Sequence, residues 1–252
     1  MADTRVAAAC TAAAGPIENI GATWMLDPAQ HEISTNSGYE HPFMGYMAGR
    51  AGPLGDVDAR IVDSVFGVFA PGAIDMLWGG GKPVHGAKGG AELYFGQAAD
   101  WGRAKLSDAD GAARIVELGE KVIAAAPGLG LPLFVGWRML PRVDDPAGRA
   151  MQVILVLREL RGSIHLAALA AHGLGPVEAH LLNKGAEYCA FFGWPEPYPS
   201  VVHLKGKHDE IEEITNNRVA EIVGSALSAE EAEELAALTG AINAKLTAAE
   251  HA

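Results

Sequence analysis

The chain has 252 residues, of which 49% are hydrophobic, 7% aromatic and 20% charged, and its formal net charge is −12. Such a composition describes a folded soluble globular chain, able to bury roughly 70–75% of the surface it exposes when unfolded, and excludes disordered and fibrous classes. Cys10 and Cys189 are the only cysteines, which excludes a disulfide framework and a cysteine-based zinc site and suits a reducing cytoplasm.

The first fifteen residues read as a disordered tail, because the apolar run before Cys10 is too short to be a lipoprotein signal. A helical core domain is expected over 16–190, with 191–252 a linker and a C-terminal helical appendage. No apolar run approaches the eighteen or so residues that a membrane span requires.

Ile61, Val62, Val65, Phe66 and Phe69 recur at three-to-four spacing, and Pro71 suits the first turn of a following helix. The glycine-rich run GGGKPVHGAKGG at 79–90 reads as a connecting loop, since it lacks the spacing of a phosphate-binding loop. Ser107, ahead of Asp108 and Asp110, suits the cap of a helix reaching Ala126, and a short helix follows over Leu133 to Leu140. Asp144-Asp145-Pro146 introduces a long central helix over 147–172, closed by Gly173 and Gly175. The segment WPEPYP at 194–199 reads as a stiff irregular linker. Val201 to Leu204 is the one short strand candidate, and Ser228 with Glu231 forms a capping box for the last helix. The expected fold is all-α, a multi-helix domain with a shortened, degenerate winged-helix-like C-terminal region.

One segment of the central helix, RELRGSIHLAALAAH, combines apolar residues with charged ones. At about 100° per residue from Arg158, Arg161 falls near −60°, His165 near −20° and His172 near −40°, whereas Glu159 points about 100° away. The rest of the circumference is apolar, and such a helix is normally buried. One reading makes the stripe a solvated face. The other turns it inward, where arginines that cannot lose their charge need an anionic partner, supplied by a protein carboxylate or by a bound anionic small molecule. His165 is then the group able to exchange a proton near neutral pH.

The stretch LRELRGSIHLAALAAHGLGPVEAHLL, together with GYMAGRAGPLG at 45–55, VFAPGAI at 68–74 and GLPLFVGWRMLPRVDDP at 130–146, resembles the SalK-like helix-turn-helix family. Such proteins occur widely in actinobacteria and sometimes in natural-product gene clusters. The resemblance covers about Trp24 to Leu182 and matches Arg50, Pro71, Arg158, Glu159, Arg161, Gly162 and His165, with His31 matching a further histidine segment. Ser163 departs from the pattern, because relatives often carry an acidic residue there. The family's usual name implies DNA binding, but only 28 residues separate His180 from Asp209, where relatives place a winged-helix region. FFGWPEPYPSVVHLKGKHDE offers only Lys205 and Lys207 as formal cations, and from Asp209 onward ten Asp and Glu face Arg218 and Lys245. Nucleic-acid binding draws on Lys and Arg, so this balance argues against a DNA partner.

The expected function is therefore binding of an anionic small molecule, or natural-product tailoring, in a pocket lined by the central helix. Arg158, Arg161, Arg50, Tyr46 and His172 are the expected ligand-binding residues, with His165, Glu159 and His31 as the expected catalytic ones. The alternatives are a DNA-binding regulator and a metal- or haem-dependent enzyme. Histidines and carboxylates are present, but no H-x-x-x-H or H-E-x-x-H pair, so no cofactor is assigned. The last helix, apolar along Leu227, Ala232, Leu235, Leu238 and Ile242, has a face suited to pairing with a second copy.

Overall fold

The computed structural model describes residues 3–107 and 111–250. Twelve α-helices follow one another, with no strand among the described residues: α1 (Thr4–Met25), α2 (Pro28–Asn36), α3 (Pro42–Ala51), α4 (Ala59–Phe66), α5 (Ala73–Leu106), α6 (Ala112–Ala125), α7 (Pro132–Arg138), α8 (Pro146–His172), α9 (Pro176–Asn183), α10 (Ala186–Phe191), α11 (Lys205–Ala226) and α12 (Ala229–Glu250). The all-α expectation holds. The strand expected near Val201 is instead a single 3₁₀ turn, Val202–Leu204, so no wing hairpin forms there.

Local sequence explains where the helices begin. Proline opens α2, α3, α7, α8 and α9, at the position where a missing N–H leaves no bond unmade. The Asp145 carboxylate accepts from the Gly148 N–H at the start of α8, and Gly173 (φ 60°, ψ 40°) ends that helix in the left-handed region. Ser228 and Glu231 bond reciprocally at the start of α12. The α6 helix starts after Gly111, later than the expected Ser107 cap; Asp108 and Asp110 lie outside the described residues.

α8 is the axis of the molecule. Every residue from Ala150 to Leu157 is buried, and the helix packs against α5, α6, α11, α1 and α7. Trp24, Trp78, Trp137, Phe66, Phe95 and Phe134 fill the largest buried volumes. The buried Gln152 amide is satisfied on both sides: it donates to the Phe95 carbonyl at 3.0 Å and accepts from the Val143 N–H at 2.9 Å, as burial of an amide requires.

The glycine-rich run 79–90 is no loop but the first half of α5, kinked at Gly86 (φ 70°, ψ 167°) with Pro83 inside the helix. Its glycines mark a close helix crossing. A Cβ on Gly81 would collide with the Met44 carbonyl oxygen, and one on Gly52 with the Ala87 carbonyl oxygen. Gly49, against Tyr94, and Gly52 thus let the end of α3 lie directly on α5, while Gly45 makes room for Ser34 of α2 and for Tyr39. Glycine here reports close backbone approach, which the absence of a Cβ permits, and not a connecting loop.

Both ends of the chain also differ from expectation. The supposed tail is α1, whose Val6, Ala9 and Ala13 are buried against α11 and α12. The C-terminal helices are not an appendage, because Ile222, Val223, Leu227, Leu235 and Ile242 join the same hydrophobic core as α8. The apolar face of α12 expected to pair with a second copy is covered within the chain by α1 and α6.

Candidate functional site

The charged residues of α8 sort by which helix covers each turn. Glu159 points into the interior and is 1% exposed. It receives both prongs of Arg50 from α3, Nε at 2.9 Å and Nη2 at 3.2 Å, and Arg158 Nη1 at 3.2 Å. Arg158 Nη2 donates to Glu18 of α1 at 2.9 Å, while Arg50 Nη1 donates to the Tyr46 hydroxyl. A continuous row, Tyr46–Arg50–Glu159–Arg158–Glu18, therefore runs from α3 through α8 to α1. Burial disfavours the Arg50 cation, but Glu159 and Tyr46 outweigh it and hold its pKa well above the ordinary guanidinium value. Burial likewise opposes ionisation of Glu18, yet Arg158, Arg50 and Lys184 hold its carboxyl below the usual range.

Gly21 makes room for this row. A Cβ there would sit 2.5 Å from Arg158 Cδ, so the guanidinium stem passes directly over α1.

Arg158 and Glu18 stand on the wall of a cavity of about 510 Å³ enclosed by α1, the start of α3, the start of α5, α8 and α10. Its lining is mainly apolar and aromatic, with Phe43 and Met44 from α3, Phe69 from the turn before α5, and Phe191 and Phe192 at the end of α10. Glu18, Tyr46, Arg158, Lys184 and Tyr188 form one polar group of the lining, and Glu40 and His41, before α3, form a second. Glu18 keeps 43% of its side chain exposed although it is ion-paired, because it faces this space. Lys184 Nζ lies 4.8 Å above the Tyr188 ring. Burial raises the Tyr188 pKa, so its hydroxyl remains protonated at neutral pH.

Three anchors fix the aromatic wall. His180 Nε2 donates to the Val68 carbonyl at 2.8 Å, Trp194 Nε1 donates to the same oxygen at 3.0 Å, and Ala70 N–H donates to the Phe192 carbonyl at 3.0 Å. Phe192 stacks on His180 with ring centroids 4.6 Å apart and meets Phe69 edge-on at 4.9 Å. The segment around Trp194 thus acts as a strap that holds the turn before α5.

Of the residues expected to form one site, the structure brings together Arg50, Tyr46, Arg158 and Glu159. The others are elsewhere. Arg161 donates from Nη2 to Glu212 at 2.8 Å and to Asn216 at 3.0 Å, both on α11. His165 Nδ1 lies 3.2 Å from Thr215 Oγ1 and 3.6 Å from Glu212 Oε1. The Thr215 hydroxyl already donates to the Ile211 carbonyl at 2.8 Å, so the hydrogen in the His165 contact comes from Nδ1. His172, fourteen residues and about 21 Å along the helix from Arg158, contacts the Ala168 carbonyl through Nδ1 at 2.9 Å. His31 contacts the Met25 carbonyl through Nε2 at 3.2 Å and meets the Phe43 ring edge-on with centroids 5.5 Å apart. Neither His165, His31 nor His172 borders the cavity, so the arrangement does not support the catalytic expectation for His165 and His31. Glu159 is behind the wall, committed to two arginines.

Sequence reasoning missed Glu18, Lys184, Tyr188 and the four phenylalanines. A signal was present in the pairs Phe43/Tyr46 and Tyr188/Phe191, three residues apart on short helices, which places two rings on one face. Glu18 gave no signal, as it lies beside the boundary at residue 16 expected between a disordered tail and the helical core. Among the described residues no group of three or more His, Cys, Asp or Glu could hold a metal ion, and no helix is long and apolar enough to cross a membrane.

The fold and site define an all-helical protein with a mainly apolar cavity, open at the surface, that has charged residues in its wall. The chain belongs to the helix-turn-helix family, whose model matches residues 10–198 and so takes in every element of the cavity. No curated protein and no solved structure matches the chain.

Proposed function

We propose that the protein binds an anionic small molecule in the cavity between α1, α3, α5, α8 and α10. The carrying observation is the position of Arg158. A guanidinium has five N–H donors; two are used by Glu18 and Glu159, Nε is buried against α1 and out of the cavity's reach, and one N–H is left on each terminal nitrogen. Spare donors on the wall of an otherwise aromatic cavity are what a ligand with an apolar body and an oxygen acceptor requires. Tyr46 and Tyr188 offer hydroxyls at the same end, so a proton-transfer chemistry on the bound molecule would use these and not His165. The resemblance to the SalK-like branch, found in actinobacteria and their natural-product clusters, suits a secondary metabolite as the ligand.

Native mass spectrometry of freshly purified protein tests this reading. One small molecule retained per chain is the expected result. Carboxylates of matching size should also raise the unfolding free energy by about 2.7 kcal/mol at a hundredfold excess over Kd. A chain that retains nothing and is stabilised by no carboxylate of a size the cavity admits overturns it.

The family match favours a second reading, a DNA-binding regulator in which α9 and α10, joined through Lys184 and Gly185, form the paired helices. Against it, α10 has six residues and turns Tyr188 and Phe191 toward the cavity, while α11 and α12 are acidic. Salt-dependent binding to mixed-sequence duplex is its test, and absence of such binding removes it.

A further inference from the structure

The rim of the cavity is as informative as its interior. Leu26, Met76 and Phe191 all line the cavity, yet remain 48%, 61% and 52% exposed. They come from three separate helices or their ends: α1, α5 and α10. Scattered exposed apolar side chains are ordinary, but three converging on one opening form an apolar lip continuous with an apolar interior. Glu40 and His41, before α3, are the polar part of the same lining.

The polar end is elsewhere. Glu18, Ala22 and Leu26 succeed one another along the face of α1 that borders the cavity. Eight residues of helix separate Glu18 from Leu26, a rise of about 12 Å. An extended chain advances roughly 1.2 Å per bond, so about ten carbon atoms span that distance. At the polar end Arg50 and Arg158 pair with Glu159 and Glu18, and the exposed Lys184, above the Tyr188 ring, is the further cation that a carboxylate head can meet.

We infer that the ligand is a single-chain amphiphile, a long-chain carboxylate whose head is held by Arg158, Lys184 and Tyr188 and whose tail passes the phenylalanines and leaves over Leu26, Met76 and Phe191. This rests on the anion-binding reading given above and extends it to the shape of the molecule. A compact ligand would leave the apolar lip in water, whereas a chain longer than about ten carbons covers it. Glu18 is then an internal competitor for the Arg158 guanidinium, and loss of its charge should favour the ligand's own carboxylate.

The test is a titration of the full-length protein with the straight-chain carboxylates from hexanoate to hexadecanoate, the matching alcohols, and 2-naphthoate as a compact aromatic acid. The expected result is one equivalent bound per chain, with affinity rising up to about fourfold per added methylene and still rising beyond decanoate. Carboxylates should bind at least tenfold more tightly than alcohols. The double variant Leu26→Ser/Met76→Ser, altered at half-exposed and exposed positions of the lip, should lose the gain in affinity beyond decanoate. Lys184→Gln should narrow the preference for acid over alcohol, and Glu18→Gln should widen it. Because Arg158→Gln disturbs a buried ion row, the exposed Lys184 serves as the primary head-group variant. If 2-naphthoate binds but affinity does not rise past octanoate, the chain-like ligand is refuted and the anion pocket stands. If neither 2-naphthoate nor any alkanoate binds, both fall. Equal affinity for acids and alcohols, or several equivalents per chain, also overturns the inference.

Discussion

Arg158 and Arg161 are three residues apart on one face of α8 and live in different surroundings. Arg158 belongs to a row in which Glu159 is wholly buried and two guanidinium groups share it. Arg161 and His165, one turn further on, lie in a seam with α11, against a Glu212 that is 32% exposed. The difference teaches that a helical stripe is not a site. The stripe fixes direction, but α1 and α3 cover one turn and α11 the next, and the covering helix decides which carboxylates a cation meets and whether the large cavity lies beside it.

The sharpest way to break this comparison is to remove each turn's carboxylate. Glu159→Gln leaves Arg50 and Arg158 sharing no buried anion, and the loss expected on breaking a buried pair is about 3–5 kcal/mol. Urea unfolding measures it; a loss under about 1 kcal/mol would mean that water reaches the row and that the two turns are alike. Gly21→Ala approaches the same row from α1. The new methyl meets Arg158 Cδ, and since Glu18 and Glu159 tether that guanidinium, overpacking should cost about 1–3 kcal/mol. Unchanged stability would show that the guanidinium is free to move.

How far this division was legible in the sequence follows from the same residues. Periodicity found the central helix and its capped ends, because Asp145, Pro146 and Gly173 act locally. The stripe's geometry was right and its environment was not, since nothing local records that Glu18 approaches Arg158 or that Glu212 approaches Arg161; these pairs are 140 and 51 residues apart. The glycines of α5 misled for a related reason: a glycine serving a loop and one serving a helix crossing look the same until the partner helix is placed. The cavity needed α1, which a run of alanines near the N-terminus concealed. Alanine favours helix, and the buried positions Val6, Ala9, Ala13 and Ile20 keep a three-to-four rhythm that could have been read.

The α11 seam should respond more weakly. Glu212→Gln removes a partly exposed partner of Arg161, for which about 0.2–1 kcal/mol is typical. A loss as large as that of Glu159→Gln would erase the distinction between the two turns.

The smallest expected effect is also the most specific to the seam. Burial lowers the pKa of His165 below the usual imidazole value of 6.5; Glu212 and Glu18 oppose the shift, and Arg161 and His208 reinforce it. Burial lowers His180 in the same direction. The unfolded chain therefore takes up protons more readily than the native one as pH falls. Stability from this source is complete above pH 6.5 and is lost as pH drops through that value toward the native pKa. Unfolding free energies at pH 7.5 and 5.5, a range in which most carboxylates stay ionised, should show a fall. His165→Gln should diminish that fall, leaving the His180 part, and Glu212→Gln should enlarge it by removing the anion that favours the imidazolium. The opposite sign, a protein more stable at pH 5.5 with the gain abolished by His165→Gln, would mean that the Glu212 contact at 3.6 Å prevails over burial. His165 would then be held as a cation, and the seam would resemble the Arg158 row more closely than its exposure implies.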